Sequence, residues 1–434
     1  VITLGIDVGT THTKVLARDA VSGEALAVET AATPIVRDDA GDAHAPAEVL
    51  HVVEQLLTAV AASLGDADRV AALGVASVGE EVVLLDEAQQ PTADALAWYD
   101  PRGRDEAAAF LDGPGAGLDL VQRWRHDPTF SLFKLLWLRE HEPEHYARAV
   151  TWTDLGDFVL ASLGADVVMD WTHASRAGAF DLQRHAWDLE TVAAAGLQIT
   201  FPRLEPSGAV AGRLRPEAAR RLGLPAGVVL VTGGHDHLCA AYAADLQPGD
   251  LFLSAGTSEA HLLPLERPIV GDPGRYHLDQ GCYVDRERYY AHVNILSGRL
   301  YQYWRGRLYP DADDAAVDAE LAAVDLAALD LRFVVSDDGH NGHFEGAEAA
   351  GRAERMLAVH VGLADRSADV VAFLEAAAGR SVGRVIAVGH PPQQPLWREL
   401  RRRRYDRPLE VRTQPEMAAE GAARLAADAI ASPT

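Results

Sequence analysis

A buried strand that runs straight into a glycine–threonine turn occurs twice in this chain. The first copy is Ile2-Thr3-Leu4-Gly5-Ile6-Asp7-Val8 followed by Gly9-Thr10-Thr11-His12, and the second is Asp250-Leu251-Phe252-Leu253-Ser254 followed by Ala255-Gly256-Thr257-Ser258. Short apolar runs closed by glycine and hydroxyl residues read as strands ending in tight turns. Two copies of one supersecondary phrase point to a repeated architecture rather than one enlarged core. The length of 434 residues agrees, since single cores stop growing at about 250–300 residues. The expectation is two α/β domains around a central cleft, residues 1–244 and 245–434, joined by a hinge because no Pro/Ser-rich linker separates them.

Between the two copies the pattern alternates strand and helix. Thr13–Asp19 and Ala25–Thr30 continue the first sheet, Pro46–Leu64 has helical periodicity, and Val70–Ala76 is another buried strand. Helices are expected near 103–112, 130–140, 143–149 and 153–163. Val228–Val231 is a strand that Gly233-Gly234 is expected to break, and a small-residue helix follows from Leu238. After the second copy come a long helix over 351–378, the strand Val385–Val388 ended by Gly389, and a last helix from Glu416.

The net charge of −25 excludes a nucleic-acid binder of the usual basic kind. Any site for a polyanion must then be a local exception made of backbone N–H groups, a few cations and a metal. No run of about 18 apolar residues is present, so no membrane partner is expected. The start reads directly into a strand, without the pattern of a signal peptide. The only cysteines, Cys239 and Cys282, fit a reduced, cytoplasmic setting rather than a disulfide framework. A homodimer is left open. Lysine occurs only at Lys14 and Lys134 among many arginines, so each retained lysine is expected where a compact ammonium matters.

Three segments carry chemistry. In Asp7-Val8-Gly9-Thr10-Thr11-His12-Thr13-Lys14, the turn can aim N–H and hydroxyl groups of Thr10 and Thr11 at phosphate oxygens. Asp7 can hold Mg²⁺ directly or through water, and Lys14 can neutralise a transferring phosphoryl group. Ser254-Ala255-Gly256-Thr257-Ser258 has the same grammar. In Gly233-Gly234-His235-Asp236-His237, a carboxylate precedes a helix and can act as the base that accepts a hydroxyl proton. Two other readings stand beside that one: a metal site shared with His235 and His237, and a helix N-cap.

These segments, in this order, resemble the FGGY family of carbohydrate kinases. The resemblance extends to Val82-Val83-Leu84-Leu85-Asp86, to Trp98-Tyr99-Asp100-Pro101-Arg102, to Phe130-Ser131 with Lys134-Leu135-Leu136-Trp137-Leu138, and to Glu416-Met417-Ala418-Ala419-Glu420-Gly421-Ala422-Ala423. It implies two ribonuclease-H-like domains of the actin/hexokinase type. It implies an ATP- and Mg²⁺-dependent kinase acting on a small-molecule sugar, ketose or polyol. By position, Asp236 is the catalytic base, and Asp7 and Asp236 are the metal-associated carboxylates. Thr10, Thr11, Lys14, Gly256, Thr257 and Ser258 are phosphate contacts. Gly389 and Gln394 belong to the adenosine loop. Gly79, Glu80, Trp98, Asp100, His235 and His237 are the substrate contacts, with Trp98 offering an apolar wall and Asp100 alternatively pairing with Arg102.

The resemblance weakens in the second half. The region before the long helix is short, Ser336-Asp337-Asp338-Gly339-His340-Asn341-Gly342-His343-Phe344-Glu345-Gly346, and reads as a solvated loop. The adenosine loop has His390-Pro391 where the family has a second glycine, which restricts close approach of backbone to a nucleotide. Arg401-Arg402-Arg403-Arg404 reads as a solvated helix face or an anion contact. An alternative to an active kinase is a sugar-binding relative with weak or no phosphotransfer and a regulatory or scaffolding role.

Overall fold

The computed structural model describes residues 1–118, 129–271, 276–336, 339, 341–346, 349–414 and 416–431. Asp337, Asp338 and His340 of the expected loop lie outside these residues. The chain divides into two units. One comprises Val1–Asp245, Gly281–Tyr289 and Glu416–Thr434, and the other Leu246–Gln280 and Tyr290–Pro415.

The first unit is built on a six-stranded sheet. Its strands are β1 (Ile2–Val8), β2 (His12–Asp19), β3 (Ala25–Ala32), β4 (Val70–Ser77), β5 (Val210–Arg213) and β6 (Val229–His235), in the spatial order β5-β6-β4-β1-β2-β3. β1 is antiparallel to β2 and parallel to β4, which is parallel to β6. Every residue of β1 is buried, as a central strand covered on both faces requires. The helix Pro46–Ser63 starts with proline in its first turn, where no amide donor is needed. Its Val49, Val53, Leu57 and Val60 recur at helical spacing and pack with Leu4, Ile6 and Val15 in one apolar core.

β6 runs through the Gly233-Gly234 pair instead of ending before it, with a register shift between Thr232 and Gly234. The reason is steric. A Cβ at Gly233 would sit 2.0 Å from the Val75 carbonyl oxygen, and Gly234 has φ +150°. Glycine therefore carries the strand to its last residue, His235, and helix α1 (Asp236–Ala243) begins at once.

The second unit repeats the plan on another six-stranded sheet. β7 (Asp250–Ala255), β8 (Glu259–Leu265), β9 (Asp279–Cys282) and β10 (Tyr289–Ile295) precede helix α2 (Ser297–Leu308) and the long helix α3 (Arg352–Ala378). β11 (Arg384–Gly389), helix α4 (Pro395–Tyr405) and β12 (Leu409–Val411) complete it, and the sheet order is β9-β10-β8-β7-β11-β12. β7 pairs antiparallel with β8 and parallel with β11, as β1 does with β2 and β4. The repeated phrase of the sequence is thus the first hairpin of each sheet.

The last helix, α5 (Met417–Ala431), was expected in the C-terminal domain but is built into the first unit. Its buried face is mostly alanine and glycine. A Cβ at Gly5 would meet the Ala419 carbonyl oxygen at 1.8 Å, one at Gly74 the Ala422 oxygen at 2.5 Å, and one at Gly421 the Cys239 oxygen at 2.0 Å. Glycines on both sides let the helix lie backbone-close on β1, β4 and α1, and no larger residues fit there. Among the described residues no helix is long and apolar enough to cross a membrane. Cys239 and Cys282 are buried, and neither is in a disulfide.

Candidate active site

The end of β1, the start of β2 and the β6–α1 junction assemble the first part of the site. Asp7 and Lys14 are direct partners across the β1–β2 hairpin. The Lys14 ammonium lies 3.8 Å from Asp7 and 2.7 Å from Glu416. Burial opposes the charge on Lys14, but Asp7 and Glu416 outweigh it and raise its pKa. Burial, followed by the charge of Asp236, pushes the Asp7 carboxyl up to about 7, with Lys14 only partly offsetting them. Asp7 Oδ1 is buried and has no hydrogen-bond partner. A partnerless carboxylate oxygen beside a second carboxylate suits a divalent cation. Asp7 and Asp236 therefore fit Mg²⁺, which uses one or two carboxylates and takes its other ligands from water and phosphate.

Asp236 is the first residue of α1, and the N-cap is His235, whose side chain accepts from the His237 N–H. The Asp236 Oδ1 accepts that same N–H at 2.5 Å and lies 2.8 Å from His235 Nδ1. Burial works against its charge, but His237 and His235 more than compensate, holding the carboxyl well below the usual range. An ionised carboxylate on a side chain that is not fully enclosed is the state a proton acceptor needs. Among the described residues, the His/Asp/Glu groups close enough to share an ion are Glu106, Glu140 and His141, and Asp157, Asp170 and His173. His235, Asp236 and His237 do not form such a group.

The strand end beneath the base is fixed by groups that no sequence motif marked. The Thr172 hydroxyl accepts from the His235 N–H at 2.8 Å and donates to Asp170 Oδ1 at 2.5 Å. Asp170 Oδ2 lies 2.5 Å from the buried His173 Nδ1. Burial disfavours a charged His173, but Asp154, Asp170 and Asp157 raise its pKa well above the ordinary value. The chain His173–Asp170–Thr172 thus holds the backbone of His235, the residue before the base.

The expected substrate residues mostly converge on this junction. A Cβ at Gly79 would lie 2.9 Å from the His235 ring, so these two are neighbours. Glu80 is buried with φ +63°, a strained value for a non-glycine residue, and it pairs with Arg176. The Trp98 indole N–H donates to Thr10 Oγ1 at 2.9 Å, and its backbone N–H to Glu81 Oε1 at 3.1 Å. Asp100 does not fit a substrate contact. Its two oxygens take the Asp42 N–H at 2.6 Å, the Arg102 N–H at 2.9 Å and the Arg102 side chain at 2.7 and 2.8 Å. That exhausts a carboxylate's acceptor sites, so Asp100 shapes the wall by holding Arg102. Thr11 is exposed, with its hydroxyl 3.1 Å from His12 Nδ1.

Both lysines occupy special positions. Lys134 is wholly buried, and its ammonium donates to the carbonyls of Ala97 at 2.8 Å and Leu96 at 3.3 Å. Desolvation lowers its pKa to about 8.

In the second unit, a cavity of about 1020 Å³ is lined by Gly256, Thr257, Arg299, His390, Pro391 and Gln394 among others. This is at the upper end of ligand-sized pockets. His390 and Pro391 line it without closing it. Gly256 donates its N–H to the Ser258 carbonyl at 2.8 Å, so Ser258 closes the turn. Gly389 has φ +106°, and a Cβ there would lie 1.9 Å from the Ala255 carbonyl oxygen, so its role is to let β11 lie against β7. Ser258 and Gly389 therefore shape the loops, whereas Gly256, Thr257 and Gln394 face the cavity. The arginine run of α4 splits. Arg401 is buried on Glu259, Arg403 and Arg404 pair with Glu399 and Asp365, and Arg402 is exposed.

A model of the "FGGY family of carbohydrate kinases, N-terminal domain" matches residues 2–243. The xylulose kinase of Bacillus subtilis (strain 168) is 23% identical over 438 residues, covering 98% of this chain and 87% of that enzyme. An L-fuculokinase of Salmonella typhi is 26% identical over 299 residues, which is 68% of this chain and 63% of that enzyme. Among solved structures, the xylulose kinase of Rhodospirillum rubrum superposes with a TM-score of 0.89 at 23% identity, covering 99% of this chain and 90% of that one. A Plasmodium falciparum glycerol kinase with ADP gives 0.87 at 18% identity, with coverage of 99% and 89%.

Proposed function

From the premise that the chain belongs to the FGGY family of carbohydrate kinases, we propose that it transfers the γ-phosphate of ATP to a hydroxyl of a small sugar, ketose or polyol. The observation that carries this reading is Asp236, a carboxylate kept ionised by its two histidine neighbours beside Asp7 and Lys14. The substrate hydroxyl hydrogen-bonds to Asp236. As its oxygen bonds to the γ-phosphorus and the bond to the β-phosphate oxygen breaks, the proton passes to Asp236. Lys14, held protonated by Asp7 and Glu416, offsets charge on the transferring group. In the first unit, Thr10 and Thr11 supply N–H and hydroxyl donors to phosphate oxygens; in the second, Thr257 lines the cavity. Asp7 and Asp236 would hold Mg²⁺, and the ion, when bound, would supply further charge neutralisation on the phosphates.

On the substrate side, Glu80, fixed by Arg176, accepts sugar hydroxyls, and Trp98 presents an apolar face. The cavity of the second unit takes the nucleotide, with Gln394 at its base end. The buried thiols, in no disulfide, suit a reducing compartment, and we take the cytoplasm as the site of action. The reading is tested by an ATP-consumption screen over D-xylulose, L-fuculose, D-gluconate, glycerol and other alditols, each with and without Mg²⁺. ADP release that depends on one of these acceptors and on Mg²⁺ supports it. Acceptor binding without turnover would refute it.

A further inference from the structure

Trp98 does more than form a wall. Its indole N–H, which can only donate, is given to Thr10 Oγ1 at 2.9 Å. That bond fixes the hydroxyl of Thr10 as an acceptor on one side. Its single proton must then be given in another direction. The Thr10 carbonyl is held as well, 3.4 Å from His44 Nε2. His44 is wholly buried, with Nδ1 2.7 Å from Glu81 Oε2. Both ring nitrogens thus face acceptors, so His44 donates at each. Glu81 closes the circuit by accepting the backbone N–H of Trp98 at 3.1 Å.

The circuit is anchored independently of the indole bond. Lys134 holds the carbonyls of Leu96 and Ala97, immediately before Trp98. Deleting the indole N–H while keeping an aromatic ring therefore leaves the loop backbone tied at three points. This makes the indole bond separable from the fold.

We propose that Trp98 is a positioning residue for the phosphate loop. Its indole N–H aims the Thr10 hydroxyl proton at a nucleotide phosphate oxygen, while its ring face meets the sugar. One side chain then couples the two substrates, so that each binds better in the presence of the other. The inference rests on the assignments of Trp98 to the sugar and Thr10 to phosphate made above.

The test is steady-state kinetics of the full chain with MgATP and whichever of D-xylulose, L-fuculose or D-gluconate turns over fastest. The variants are Trp98→Phe, Thr10→Val, Thr10→Ser and the double variant Trp98→Phe/Thr10→Val. The expected result is a drop of about 3–10-fold in kcat/KM for ATP with Trp98→Phe, the range for one lost hydrogen bond. The KM for the sugar at saturating MgATP should rise by a similar factor, because coupling is reciprocal, while sugar affinity without nucleotide stays within about twofold. Thr10→Val should show a similar or larger loss, Thr10→Ser should restore it, and the double variant should be no worse than Thr10→Val alone. If Trp98→Phe changes only the sugar KM, the coupling is refuted while Trp98 stands as a sugar wall. Additive losses in the double variant also refute the coupling. If neither Trp98→Phe nor Thr10→Val alters any constant, the inference falls together with both underlying assignments.

Discussion

Lys14 and Glu416, far apart in sequence, meet at 2.7 Å beside Asp7. Glu416 adopts φ +61° just before helix α5, a conformation unusual for a residue with a Cβ. Its carboxylate counters Asp7 for possession of the ammonium. Glu416→Gln keeps the shape and removes the charge, so Lys14 should shift toward Asp7. We expect kcat to fall about 10–100-fold, corresponding to one charge-assisted contact, with the sugar KM little changed. Steady-state kinetics checks this, and an unchanged kcat would assign Glu416 to the fold alone.

Asp236→Asn retains the size of the side chain and removes its basicity. Turnover should fall by about 10²–10⁴-fold while sugar affinity, measured by calorimetry, stays within a few-fold. Near-normal turnover would move the role of base elsewhere.

Asp7→Asn addresses the cation. Loss of the orphaned carboxylate oxygen should raise the Mg²⁺ concentration needed for half-maximal activity by at least about tenfold, the lower range for altered metal-site contacts. A Mg²⁺ titration of rate at fixed ATP reads this out. An unaltered Mg²⁺ curve would separate Asp7 from the metal.

The His44–Glu81 pair gives stability a defined pH dependence. Burial disfavours a charged His44, but its hydrogen bond to Glu81 and the Glu81 charge raise its pKa above 6.5. The folded state therefore binds the proton more tightly than the unfolded chain. The resulting stability is fully present below about pH 6.5 and is lost as pH rises through the raised value. His44→Gln should cost about 3 kcal/mol near pH 6, and the gap from the parent should narrow at alkaline pH. Urea unfolding at pH 6 and pH 9 tests the sign, and a gap that widens with pH would contradict it.

Gly421→Ala should destabilise the first unit by about 1–3 kcal/mol or more, because its Cβ would lie 2.0 Å from the Cys239 carbonyl oxygen. Backbone, unlike a side-chain tip, has little room to yield. Thermal unfolding gives the magnitude, and a change within about 0.5 kcal/mol, as at an ordinary surface site, would show that α5 can lift off.

Much of this molecule could be read from local pattern. The two strand–turn phrases, α3 and the Asp236 segment were visible because their signals are contiguous and periodic. The packing of α5 onto the first sheet was not, because its small-residue face has no period pointing to a partner, and the matching Gly5 and Gly74 lie far upstream. Glu416 stood within a motif but had no apparent role until Lys14 was placed beside it. Arg176, Thr172 and the His44–Glu81 pair were hidden for a related reason. Each is a polar residue whose function depends on a partner that only the tertiary fold brings near. Asp100 illustrates the converse, since a residue in the right segment is saturated by Arg102 and the Asp42 N–H together.

The return of α5 to the first sheet has a consequence for how the molecule comes into being on the ribosome. A nascent chain that has emerged through the first unit's six strands still lacks the helix that covers β1 and β4, and Lys14 still lacks Glu416. The first unit cannot mature in simple vectorial order; it must wait while the whole second unit is synthesised. An interrupted translation product would thus hold Asp7, Lys14 and Asp236 in an unfinished setting, and the phosphate-handling centre would become competent only when α5 arrives.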